Sequence, residues 1–134
     1  MHYSRHGDVK ARKDKDLPLV YIELTGPFND EFMNHYNLQI APLREQMKYQ
    51  HWVSLVSFTN EGLLPLSMRD GVLQSMEAAK TMGLIASAVV FDQQTPSTVA
   101  QQFWEQIYEK ASLPHRFFKN IADAKSWLLT ELEN

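Results

Sequence analysis

Residues 76–92 read MEAAKTMGLIASAVVFD, and how this stretch is read decides the fold. Its first half ends a helix, with Met76, Ala79 and Met82 on one side. Gly83 stops that helix, because glycine alone takes up the left-handed conformation after a helix without steric cost. Leu84–Phe91 then runs apolar, with no charge until Asp92. A run this long and rich in Val, Ile and Phe reads as a strand buried on both faces, which is typical of parallel sheets. Helix, glycine and buried strand form half of a βαβ unit.

Working outward, Leu19–Thr25 (LVYIELT) alternates strictly. Val20, Ile22 and Leu24 share one face, and Tyr21, Glu23 and Thr25 the other, so the sheet is not fully covered on both sides here. Before it, residues 3–13 are polar and read as a solvent-facing edge strand or irregular arm, with a turn candidate at Gly7 and Asp8 and a turn at residues 14–16. After it, Gly26 and Pro27 end the strand. Asn29 is then a helix N-cap candidate, with Asp30 and Glu31 in the first turn where they complement the positive helix end. Phe32, Tyr36, Ile40, Leu43 and Met47 recur at helical spacing. Pro42 inside this pattern predicts a kink or a helix broken into two segments.

Residues 51–58 (HWVSLVSF) read as the next strand, interrupted by Ser54 and Ser57, and residues 59–65 as a loop with two exposed leucines. Ser67 is expected to open a helix with Asp70 in a capping-box-like pair, and Met68, Val72, Met76 and Ala79 form its inner stripe. Thr95 and Pro96 signal another helix start, with Val99, Phe103, Ile107 and Ala111 as its stripe and Trp104 and Tyr108 beside it. Leu113 and Pro114 end it, residues 116–118 form a short strand, and Asn120 caps a last helix whose Ala124, Trp127, Leu128 and Leu132 face inward. The expected fold is therefore α/β, a single domain over residues 1–134. A mostly parallel five-stranded sheet in β-β-α-β-α-β-α-β-α order carries four main helices.

Composition narrows the function classes. The 134 residues are 44% hydrophobic and 22% charged, an ordinary globular balance. Cysteine is absent, which removes disulfides, thiolate metal sites and thiol nucleophiles. No apolar run approaches the length of a membrane span and no signal-like segment opens the sequence, so a cytoplasmic location is expected. The net charge of −3 divides into +2 over residues 1–16 and −5 over the rest. That is not the basic face of a nucleic-acid binder. The weakly basic edge is read as a solvated strand whose charges discourage edge pairing, with contact to an anionic membrane as the other reading.

No phosphate-binding glycine loop and no nucleophile elbow occurs. His2, His6, His35, His51 and His115 are scattered and no cofactor is expected. Glu23 and Asp92 are the carboxylates to weigh. Burial would raise the pKa of Glu23 and make it an acid–base candidate; on the wetter face it would pair with Lys or Arg of the first strand. Asp92 ends a buried strand, where open α/β sheets place ligand groups, and serves equally as a loop residue capping backbone N–H groups. No third group completes a catalytic set, so a small-molecule enzyme built on either is the least developed reading. The apolar surplus says more. Phe28, Phe32, Tyr36, Phe58, Leu64 and Met68 gather near the strand carboxyl ends. They close the core or line an apolar crevice for an amphipathic ligand, with Thr59 and Ser67 at its mouth.

The opening strand pair ending in Gly26, the helix with Tyr36 and Pro42 (HYNLQIAPL), the Gly83 strand (GLIASAVVF) and the ending FFKNIADAKSWL together resemble the small SpoIIAA-like proteins. These have a STAS-type fold related to the Sec14/CRAL-TRIO lipid-binding domains. The resemblance spans essentially the full length. It implies a non-enzymatic regulatory or ligand-binding module, with lipid-like ligands and membrane association. In the anti-sigma-factor antagonists a phosphorylated serine lies in an Asp-Ser-Ser-Gly-type motif; here the region reads TNEGLLPLSMRD, and Ser67 precedes the helix without that motif. The second reading is accordingly a protein–protein switch using residues 59–67, in which a phosphate on Ser67 would sit at a helix N-terminus. Expected partners are a lipid-like small molecule or another protein, with peripheral membrane contact and a homodimer left open, and no nucleic acid.

Overall fold

The computed structural model describes residues 7–59, 63–92 and 97–133. Ten elements follow in order: β1 (Asp8–Lys13), β2 (Leu19–Thr25), α1 (Asp30–Met47), β3 (Trp52–Thr59), a 3-10 turn (Leu66–Met68), α2 (Arg69–Thr81), β4 (Leu84–Phe91), α3 (Ser97–Lys110), β5 (His115–Phe118) and α4 (Ile121–Glu133). They build one five-stranded sheet in the order β1-β2-β3-β4-β5. β1 pairs antiparallel with β2, and every other pair is parallel.

The sheet grows in one direction only. Crossovers of one hand then place α1, α2 and α3 on the same face. The buried side chains divide accordingly. Val20, Ile22, Leu24, Val56, Phe58, Val89 and Phe91 pack under these three helices. Leu19, Val53, Leu55, Ala86, Ala88 and Val90 pack against Ala124 and Leu128 of α4 on the opposite face. α4 lies over β3, β4 and β5. Farther along β2, Tyr21 is half-buried and Glu23 is exposed, as the alternation of that strand implies.

Gly83 has φ +108°, and a Cβ there would lie 2.1 Å from the Gln50 carbonyl oxygen. Two separate constraints thus select glycine where α2 turns into β4. Trp52 locks the same corner: its Nε1 donates to the Met82 carbonyl at 3.0 Å. In the turn that leads into β2, Asp14 Oδ1 accepts from the N–H groups of Asp16 and Leu17, and Oδ2 from the Tyr21 hydroxyl. These hydrogen bonds hold the Asp14 carboxyl below its ordinary pKa, the Asp16 N–H contributing most.

Asn29 caps α1 as expected, its Oδ1 accepting from the Phe32 N–H at 3.2 Å. Asn120 caps α4, its Oδ1 accepting from the Asp123 N–H at 2.8 Å while its Nδ2 donates to Asp123 Oδ2 at 3.1 Å. Elsewhere the outcome differs from the sequence reading. α1 runs unbroken through Pro42 and is not divided into two segments. Pro42 is exposed there, so its ring meets solvent and the helix continues on tertiary contacts made by Ile40 and Met47. Asp8 is already paired with Thr25 in β1, so Gly7 and Asp8 are not a turn. β1 is an edge strand, but Val9 is buried, because α1 packs over its inner face.

Ser67 does not cap a helix. It is exposed inside the 3-10 turn, and Met68 stands at the start of α2 with no side-chain cap. In α3 the inner stripe is turned by one residue: Ala100, Trp104, Ile107, Tyr108 and Ala111 are buried, while Val99 is 60% exposed and Phe103 half-buried. Ile107 and Ala111 belong to both the expected and the observed stripe; the two largest rings, Trp104 and Tyr108, set which face turns inward. Two residues past α3, Ser112 adopts φ 55° without being glycine. The expected start at Thr95 and Pro96, Gly62, His2, His6 and residues 3–6 lie outside the described residues.

Candidate functional site

Three helices converging on one sheet face do not fill it. Two small cavities lie between them and the strands, one of about 50 Å³ and one of about 40 Å³. They share Ile22, Tyr36, Val56, Ser75, Met76 and Tyr108 as walls. The first extends toward Phe32, Phe58, Leu64 and Trp104, and the second toward Trp52, Ser54, Ser87 and Leu113. A water needs about 10–15 Å³ of such space, and benzene fills an apolar cavity of about 150 Å³. The site as it stands therefore admits a few small atoms, and anything longer must displace side chains. Met33 and Met76 are the walls best suited to move, being unbranched and soft.

The wall is apolar except for one band. Ser54 Oγ donates to Ser87 Oγ at 3.0 Å, and Ser87 Oγ lies 3.0 Å from the Tyr108 hydroxyl. This line crosses from β3 through β4 to α3, and Ser54 and Ser87 are both buried. They sit at paired positions of the parallel ladder. On the opposite wall Tyr36 points toward Ser75 of α2. Burial pushes both phenols well above their ordinary pKa; the Ser87 hydroxyl opposes this at Tyr108, and the Ser75 hydroxyl and the Arg44 charge oppose it at Tyr36. Both are therefore neutral at physiological pH, able to donate a hydrogen bond and poor as bases. The Tyr108 ring is held by His115, stacked at 4.9 Å and 13°, whose Nδ1 lies 3.0 Å from the Leu113 carbonyl oxygen.

Of the residues singled out from the sequence, Phe32, Tyr36, Phe58 and Leu64 line the larger cavity. Leu64 is buried rather than exposed, because it closes the cavity end, whereas Leu63 is 40% exposed. Phe28 and Met68 are buried but close the core: Phe28 meets Phe32 edge-on at 4.6 Å and Phe58 at 6.1 Å. Thr59 and Ser67 are exposed and touch neither cavity, so they do not form its mouth. The larger cavity runs beneath the helices and reaches the carboxyl ends of β2 and β3 at Leu24 and Phe58, whereas the smaller reaches the amino ends of β3 and β4 at Trp52 and Leu84.

Glu23 stands exposed opposite Lys10 of β1. Asp92 is half-buried just past β4, its backbone N–H donating to the Phe58 carbonyl at 3.1 Å. Neither lines the cavities. Among the described residues, no three His, Asp or Glu side chains gather as metal ligands, and no helix is long and apolar enough to cross a membrane. Ser54, Ser75, Ser87 and Tyr108 are the polar wall residues that the sequence reading did not select as site residues. The available signal was a serine breaking each of two buried strands, Ser54 in VSL and Ser87 in ASA, with an inward tyrosine on the next helix. No protein-family model matches the chain, and neither a curated protein nor a solved structure matches it.

Proposed function

We propose that this domain is a non-enzymatic binding module that holds a small amphipathic, lipid-like molecule between helices α1, α2 and α3 and the sheet. The observation that carries this reading is the pair of cavities with apolar walls, a polar band of Ser54, Ser87 and Tyr108, and Tyr36 with Ser75 across from it. An apolar pocket with a few convergent hydrogen-bonding groups is the usual form of a small-molecule site. The two neutral phenols suit recognition of a polar end. The SpoIIAA-like resemblance and its lipid-binding relatives favour the same class of ligand. In this reading the soft walls at Met33 and Met76 yield when the ligand enters, and the protein meets membranes only peripherally while loading.

Native mass spectrometry of the purified protein tests it. A retained small amphiphile, lost in Val56→Phe where the larger ring fills both cavities, is the expected result. A protein that carries nothing, and that fails to float with anionic vesicles, contradicts it.

A second reading, the protein–protein switch, is favoured by one surface. Leu63 and Leu66 are exposed on either side of Leu64 and Pro65, Leu66 by 77%, and Ser67 follows them in the open. Pull-down with wild type and Ser67→Asp distinguishes it: a partner that is gained or lost supports the switch, and identical, partner-free results end it.

A further inference from the structure

A buried charge beside the cavities goes further. Arg44, in the second half of α1, is only 9% exposed. Its Nη1 donates to the Ser75 carbonyl oxygen at 3.2 Å. Among the described residues that is the one hydrogen bond its guanidinium makes, and no carboxylate lies within ion-pair distance of it. The acids on α1 and α2 nearest in sequence face elsewhere: Glu45 pairs with Lys48, and Glu77 with Lys80 at 4.0 Å. A guanidinium offers five N–H donors, and those of Arg44 that the Ser75 carbonyl does not take are left to the groove beside it.

The same arginine lines a groove of about 300 Å³ between α1 and α2, together with Asn37 and Gln74. Met33 and Ser75 line this groove and also the larger cavity, so that pair is the wall between the two spaces. The Met33 Cε lies 3.7 Å from where a Cβ on Gly71 would stand, so the methionine tip rests over a bare glycine. A flexible tip over a glycine is a cheap element to displace.

Resting on the binding reading above, we propose that the α1–α2 groove and the cavity beneath it take a single-chain amphiphile with an anionic head. The head oxygens pair with Arg44, aided by the amides of Asn37 and Gln74. The chain passes Met33 and ends against Ile22 and Val56. A carboxylate and a phosphate share this chemistry, so the test carries both.

The experiment is calorimetric titration of the full chain with decanoate, decyl phosphate and decanol, each below its aggregation limit, on wild type, Arg44→Gln and Arg44→Lys. At least one anion is expected to bind wild type about tenfold or more tighter than decanol, as charge-assisted hydrogen bonds do. Which of the two anions wins identifies the head. Arg44→Gln is expected to erase that preference by weakening the anions far more than decanol, Arg44→Lys to keep some of it, and added salt to weaken the anions alone. Decanol binding as tightly as both anions, or an anion preference that survives Arg44→Gln, overturns the proposal while the apolar site stands. Binding of none of the three overturns both. If Arg44→Gln does not fold by circular dichroism, the salt dependence of wild type decides: a preference indifferent to salt overturns the proposal.

Discussion

On the face under α4, β3 and β4 present Val53, Leu55, Ala86, Ala88 and Val90, and Ala124 and Leu128 close down on them. On the other face the same two strands present Trp52, Ser54, Val56 and Phe58, then Ser87, Val89 and Phe91. Phe58 stacks on Phe91 at 5.4 Å and meets Trp104 at 5.1 Å, yet both cavities described above remain beside them. Small side chains let one helix approach closely. Large rings and hydroxyls hold three helices at a distance and leave gaps whose walls can hydrogen-bond. A face built only for stability has no use for a line of buried serines, since each hydroxyl must be satisfied at a net gain of only about 1 kcal/mol.

The largest effect is expected on the closed face. Leu128 is fully buried, and Leu128→Ala should cost about 2–5 kcal/mol in urea unfolding. Ligand affinity at the opposite face should not change; a parallel loss of binding would show that the faces are not independent. Overpacking sharpens the contrast. Ala88→Leu, into space already filled by α4, should destabilise by about 1–3 kcal/mol. Val56→Ile, which grows into both cavities, should shift stability by less than about 1 kcal/mol in either direction and weaken decanol binding. Equal costs for the two would mean that the cavities are not real space.

The polar band gives the next effect. Tyr108→Phe removes one hydrogen bond while Ser87 keeps Ser54, so about 1 kcal/mol is expected at neutral pH. Its pH signature is more telling. The unfolded chain releases the phenol proton near the ordinary value of 10.0, whereas the folded chain holds it to higher pH. Stability is therefore complete below that value and falls as the pH rises through and beyond it. Unfolding measured between about pH 8 and about pH 11 should show this fall in wild type and a shallower one in Tyr108→Phe. The smallest effect belongs to the surface: Lys125→Met breaks a 3.9 Å pair with Asp14 on a half-exposed side chain and should change stability by less than about 0.5 kcal/mol.

The scaffold was legible where one residue pattern answers one local question. The alternation of β2, the apolar run of β4, the Asn29 and Asn120 caps and Gly83 each follow from nearest-neighbour chemistry. Reading failed where the answer lies across the fold. Val99 and Ala100 compete for the inner stripe of α3, and only the room for Trp104 and Tyr108 beside Phe58 and Ser87 decides between them. Ser67 is a reasonable cap by type, but the chain tightens into a 3-10 turn first. Half of the candidate site, Phe32, Tyr36, Phe58 and Leu64, was found by hydrophobicity and position. The polar half was missed because Ser54 and Ser87 come together only through the ladder between β3 and β4, and Arg44 looks like any helix arginine until its burial is known.

The claim that the α1–α3 face is a ligand site is tested most directly by methyl-resolved NMR of the wild-type protein titrated with decanol. Shifts at Met33, Met76, Ile22, Val56 and Leu64, with Ala88 and Leu128 unmoved, are the predicted result. Shifts confined to Leu63 and Leu66 at the surface, shifts on the α4 face, or none at all, would contradict it.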